Sequence, residues 1–219
     1  MEKPILRRVG LILLATSLAS FAWTIWSGRN THHYDFSTDV SLLVAAIAIL
    51  RGSLTVANWT RRLGAFSLGG AGALAVYWVF NQPMALLWAR FRLDTEQTIG
   101  SLAYATLLAA IIAWAVRELS RVPGITDAAT GSFSAIPTRW AFIGGIAFAL
   151  AIGAVVLPMG YGETGAKGLQ LASLKFGPGV NYHLSGLDVR YDADGKHVAA
   201  TVDAWNDTLF VEVPVRWDE

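Results

Sequence analysis

Four stretches of this chain, residues 40–59, 63–88, 99–116 and 140–159, hold one charged side chain between them, Arg51. A helix rises about 1.5 Å per residue, so roughly 17–25 apolar residues cross the ~30 Å core of a bilayer. A helix on the surface of a soluble domain repeats polar residues at its own period. These stretches show almost no such face, and charged residues make up only 15% of the chain, against about 25% in ordinary soluble domains.

A fifth apolar segment, Val9–Trp26, follows Lys3, Arg7 and Arg8. Ser17-Leu18-Ala19 resembles the small-residue cleavage site of a signal peptide. Trp23 and Trp26 favour an uncleaved anchor, because indoles settle at membrane interfaces. Trp59, Trp88, Trp114 and Trp140 also lie at or near segment ends.

The expected fold is an α-helical integral membrane protein with five transmembrane helices, over about 9–26, 40–59, 63–88, 99–116 and 140–159. With the N-terminus inside, the inner flanks hold Lys3, Arg7, Arg8, Arg61, Arg62, Arg117, Arg121 and Arg139. The outer loops hold Arg29, Arg90 and Arg92. This distribution follows the positive-inside bias. The C-terminus then lies outside, in the periplasm if the membrane is a bacterial inner membrane. The loop 117–139 carries Pro123-Gly124, Thr130-Gly131-Ser132 and Pro137 and reads as irregular.

After Gly160 the pattern becomes alternation. Leu209, Val211, Val213, Val215 and Trp217 share one face of an extended segment, with Glu212 and Arg216 on the other. Leu187, Val189 and Tyr191 alternate likewise, as do Val198, Ala200 and Val202. A period of two marks half-buried strands. Asp194-Gly195 marks a tight hairpin and Asn206-Asp207 a second turn. Leu169–Phe176 adds a strand or a short helix. Residues 161–219 are therefore expected to form a small C-terminal antiparallel β-meander domain, extracytoplasmic, beside a transmembrane domain over 1–160. That length is near the lower limit for independent folding, so support from the membrane part or from a partner is expected.

Charge is divided between these parts. Residues 1–162 carry 12 Lys/Arg and 7 Asp/Glu, a balance of +5, and residues 163–219 carry 5 and 9, a balance of −4. An acidic outer domain could attract a basic soluble partner. The small net charge of +1 gives no indication of nucleic acid. Cysteine is absent, which excludes disulfides, thiolate metal sites and cysteine nucleophiles.

Candidate site residues are few. His32, His33, His183 and His197 all fall on the outer side, and imidazole binds copper, zinc or haem iron. Outer loops also hold a membrane protein's polar residues for ordinary reasons. Arg51 sits past the midpoint of an expected span, where it snorkels to the interface, or the span ends earlier with Gly52–Thr60 along the interface, or the residue marks a pathway or contact between subunits. Asn81-Gln82-Pro83 reads as a kink near the outer end of the third span. Gly69, Gly70 and Gly72, with Gly144 and Gly145, form small-residue faces that let helices approach closely. Trp217 and the sheet edge are candidate partner contacts. Asp192-Ala193-Asp194-Gly195 begins like a calcium loop but lacks the closing Glu. No HExxH or GxSxG motif occurs, and the five expected spans contain no Asp or Glu, which disfavours a proton-coupled carrier.

These residues do not identify a cofactor. The expected function is a non-catalytic accessory, structural or assembly subunit of a larger membrane complex, in contact with the bilayer and other membrane subunits. The alternatives are an extracytoplasmic copper or haem assembly factor using the histidines, and a small transporter or lipid-binding protein.

Overall fold

A computed structural model describes residues 2–31, 37–122, 124–125, 137–192 and 195–218. The fold is mostly helical with a C-terminal three-stranded antiparallel sheet. Its elements in chain order are α1 (Glu2–Thr31), α2 (Ser37–Leu50), α3 (Leu54–Asn81), α4 (Met84–Leu93), α5 (Thr95–Leu119), α6 (Thr138–Tyr161), α7 (Glu163–Phe176), β1 (Asn181–Asp192), β2 (Gly195–Trp205) and β3 (Phe210–Asp218). Among the described residues, four helices are long and apolar enough to cross a membrane: Lys3–Ile25, Leu54–Asn81, Thr95–Leu119 and Thr138–Val155.

Two of the expected spans divide differently. The segment 40–59 is not one helix. Its apolar part, Val40–Leu50, is short, and the 14 residues of α2 reach only about 21 Å. The break is a glycine-capped helix end. Ser53 N–H donates to Ala48 O (3.1 Å) and Gly52 N–H to Ile49 O (2.9 Å). Gly52 takes φ +84°, which a side chain resists and glycine does not. Ser53 then caps α3, its Oγ accepting from Val56 N–H at 3.3 Å. Arg51 therefore lies in an exposed turn and not inside a span. The segment 63–88 is also split. α3 stops at Asn81, and Pro83 starts α4, its carbonyl accepting from Leu86 and Leu87 N–H. Proline has no N–H and cannot continue the ladder behind it.

The chain forms two compact units, Met1–Ala73 with Tyr104–Phe148, and Leu74–Ala103 with Ala149–Glu219. In the first unit, one core gathers Leu6, Val9 and Leu13 of α1, Ala46 and Ile49 of α2, Ala57 of α3, Ala115 and Leu119 of α5, and Val122 and Ile125. The start of α1 thus meets the end of α2, so these helices run antiparallel. The start of α3 and the end of α5 lie at the same place. Arg61 and Arg62, expected in a flanking loop, are buried within α3, and Arg61 Nη2 donates to Asn58 Oδ1 at 2.9 Å. Ser17 and Ser20 are buried as well. Ser20 shares a short hydrogen bond with the Tyr104 hydroxyl, and Trp23 stacks on the Tyr104 ring at 5.4 Å.

In the second unit the sheet order is β1-β2-β3. The expected alternation is present in β3, where Val211, Val213, Val215 and Trp217 are more buried than Glu212, Pro214, Arg216 and Asp218. Asp192 pairs with Gly195, which brackets the expected hairpin, while Asp194 lies outside the described residues. A bulge at Ser185 shifts the β1 register. Leu184 thus pairs with Val202 and Leu187 with Ala200, which keeps both leucines on the core face despite their odd spacing. Leu169–Phe176 is helical and belongs to α7. The apolar side of α7, with Leu169, Ala172 and Phe176, packs on Val202, Ala204 and Val213.

Candidate functional site

The β2 residues Val202 to Trp205 are consecutively buried, where a strand with one wet face would alternate. The reason is that a second element covers the other face. α4 lays Leu86 and Ala89 against Trp205, with Phe210 packed beside them. Even-numbered β2 residues therefore meet α7, while Asp203 and Trp205 point to α4.

Asp203 is fully buried, and its charge is met there. Arg90 Nη2 of α4 donates to Asp203 Oδ2 at 2.7 Å, with 19% of the arginine side chain exposed. The Arg90 guanidinium lies 5.4 Å from the Phe210 ring centre and 5.7 Å from that of Trp78, within cation–π range. Its Nε, also buried, makes no hydrogen bond. The bulge residue Ser185 brings its hydroxyl to 3.2 Å from Asp203 Oδ1 and 3.1 Å from Thr201 O. Its one proton serves one of them at a time. An Asp–Arg pair in this setting is a clamp between α4 and the sheet.

His183 pairs with Asp203 in the ladder. Burial holds its imidazole below the ordinary value of 6.5, and Arg90 adds to this while Asp203 opposes it. His197 lies six positions along β2 from Asp203, about 20 Å away at ~3.4 Å per residue. Its Nδ1 is 2.6 Å from Asp218 Oδ1. His183 and His197 therefore do not converge on one ion. His32 and His33 lie outside the described residues. Among the described residues, no group of three or more His, Asp or Glu is placed to hold a metal.

Part of the small-residue faces, Gly69, Gly70 and Gly145, has partners inside the chain. A Cβ on Gly69 would run into Phe142 O, and one on Gly145 into Phe66 O, so α3 and α6 touch backbone to backbone there. Gly70 also faces Gly145 O. Gly144 has only loose contact with Phe66, and Gly72 faces open space. Trp217 packs over Gly168 of α7, with Lys167 Nζ 5.8 Å from its ring. Gln82, between α3 and α4, is nine-tenths buried, and its Oε1 has no hydrogen bond.

A cleft of about 150 Å³ opens between α4 and the end of the sheet. Trp88 and Arg92 line it from α4, and Asn181, Asn206 and Asp207 from the strand ends. Trp205, only 6% exposed, also lines it. The Asn206 side chain holds the β2–β3 turn, its Oδ1 accepting from Thr208 N–H (2.9 Å) and Leu209 N–H (2.8 Å). Arg92 and Asp207 are both exposed, and neither has an ion-pair partner among the described residues.

Sequence reasoning placed Arg90 among loop charges and did not single out Asp203. An acid inside the apolar run Val202-Asp203-Ala204-Trp205 was the available signal. No family model matches this chain, and no curated protein or solved structure does.

Proposed function

We propose that this protein is a non-catalytic accessory or assembly subunit of a larger membrane complex, with its N-terminus in the cytoplasm and its sheet on the opposite side. One observation carries the reading. Only 6% of the apolar window of α5 and 11% of that of α3 is buried by the chain itself. A carrier encloses its pathway between helices packed on one another. These helices instead leave most residues of those windows at least partly uncovered by the chain, open to lipid or to other subunits.

The orientation rests on the first unit's core. It gathers the start of α1, the end of α2, the start of α3 and the end of α5. The basic residues Lys3, Arg7, Arg8, Arg51, Arg61, Arg62, Arg117 and Arg121 belong to these same segments. Such a concentration at one end favours the cytoplasmic side. In this reading α2 returns the chain to the cytoplasm as a short fifth passage.

A contact by strand addition is disfavoured. The outer strand β1 carries the Ser185 bulge, and β3 carries Pro214 between Glu212 and Arg216. Bulges, proline and charge are the features that blunt sheet edges. The partner surface in this proposal is therefore the apolar flank of α3 and α5.

The test is affinity capture of the full chain from gently solubilised native membranes, with mass spectrometry of what elutes. A stoichiometric set of membrane subunits, and a particle much larger than 23.6 kDa, is expected. Elution of the chain alone as a monomer would overturn the proposal.

A further inference from the structure

We propose that the cleft between α4 and the β2–β3 turn binds the headgroup of a zwitterionic phospholipid bearing a primary ammonium, of the phosphatidylethanolamine class. The inference rests on α3 and α5 crossing the membrane, and it is independent of whether the chain joins a complex.

The cleft contains two opposite charges that do not pair with each other. Arg92 lines it from α4 and Asp207 from the turn, both exposed and both without an ion-pair partner among the described residues. A ligand carrying both signs answers both. The planar guanidinium fork matches phosphate oxygens. A carboxylate accepts the N–H groups of a primary ammonium. The Asn206 carbonyl oxygen is already engaged by two backbone N–H groups, so its remaining amide hydrogens are available to phosphate oxygens.

The position of the cleft selects a lipid over a soluble zwitterion. Its helical wall is the ten-residue helix α4, which joins two helices long and apolar enough to cross a bilayer. Phe80, Met84 and Trp88, at the end of α3 and along α4, are among the most exposed large apolar side chains of the chain. Trp88 both lines the cleft and belongs to this set, and tryptophan favours the headgroup level of a membrane. A headgroup in the cleft would leave its acyl chains beside these residues.

The primary ammonium is chosen over choline for a reason of shape. Quaternary ammonium groups are held by cages of several aromatic faces. Here Trp205 is nearly covered by Leu86 and Ala89, so Trp88 alone offers an open ring. The acid Asp207 is the better partner, and it rewards N–H donors that choline lacks.

The test uses the purified full chain in detergent, with phosphatidylethanolamine, phosphatidylcholine or phosphatidylglycerol of matched acyl chains added, and lipid retention read by native mass spectrometry. Retention of phosphatidylethanolamine should exceed that of the other two by about tenfold, the scale of one charge-assisted hydrogen bond. Asp207→Asn should bring phosphatidylethanolamine down to the level of phosphatidylcholine while leaving phosphatidylcholine unchanged. Arg92→Gln should weaken all three. Both side chains are exposed, so both variants should elute and melt as the parent does. Equal retention of the three lipids, stronger retention of phosphatidylglycerol, or a preference that survives both substitutions would each overturn the proposal.

Discussion

Arg90 of α4 and Asp203 of β2, 113 residues apart in sequence, meet at 2.7 Å with the carboxylate fully buried. The pair fixes a short helix to the middle strand of the sheet. Breaking a buried pair by removing one partner leaves an uncompensated charge and costs about 3–5 kcal/mol. Arg90→Met or Asp203→Leu alone should therefore lower the thermal stability of the purified protein sharply. The double variant should recover much of the loss, because two apolar side chains beside Trp78, Phe210 and Trp205 suit the site. A double variant no better than the worse single one would show that the ion pair has a further role.

His183, opposite Asp203, gives the sheet a pH dependence. Its folded pKa lies below 6.5 because the imidazole is partly buried, with Asp203 opposing the effect and Arg90 adding to it. The unfolded chain then binds the proton more readily than the folded one. Stability from this group is complete above about 6.5 and is lost as pH falls from there towards the lower folded value. His183→Gln should flatten that part of the Tm–pH curve. A parent curve that is level across this window, or a slope unchanged in the variant, would refute the assignment.

The fold was partly legible in the sequence because two of its periods are simple. Continuous apolar runs marked the long helices, and alternation marked β2 and β3. Windows of hydropathy hid the breaks. Arg51-Gly52-Ser53 is a helix stop followed by a helix start; the charge at Arg51 pointed to an earlier end of the span as an alternative, yet apolar residues on both sides averaged the stretch into one span. Pro83 was likewise read as a bend where it separates α3 from α4. The clamp was hidden for a different reason. Asp203 faces away from α7, so it sat on the strand side expected to be wet. Only the return of α4, distant in sequence, makes that side a core. The lone acid between Val202 and Ala204 was a local signal with no local partner.

The turn at Arg51 yields a contrast between neighbours. Arg51→Ala removes an exposed side chain and should change stability by no more than about 0.5 kcal/mol. Gly52→Ala places a Cβ at φ +84° and should cost about 1–2 kcal/mol, although nothing lies within 4 Å of the new atom. Paired melting curves in one detergent decide this. An Arg51→Ala loss as large as that of Gly52→Ala would mean that the arginine acts beyond the turn.

The glycine pattern of α3 separates internal packing from surface. Alanine in place of glycine favours a helix by about 1 kcal/mol on propensity alone. At Gly72 nothing opposes that gain, since the new methyl meets no atom within 4 Å. At Gly69 and Gly145 the methyl would strike the carbonyl oxygens of Phe142 and Phe66, which are backbone atoms and cannot rotate away. The helices would have to separate, and overpacking of this kind costs about 1–3 kcal/mol. Gly69→Ala and Gly145→Ala should thus lower the melting temperature, while Gly72→Ala leaves it level or raises it. The same Gly72→Ala chain, captured from native membranes, also reports on that open face. Retention of every partner would place the subunit contact elsewhere on α3 and α5, and loss of partners without loss of stability would locate it at Gly72.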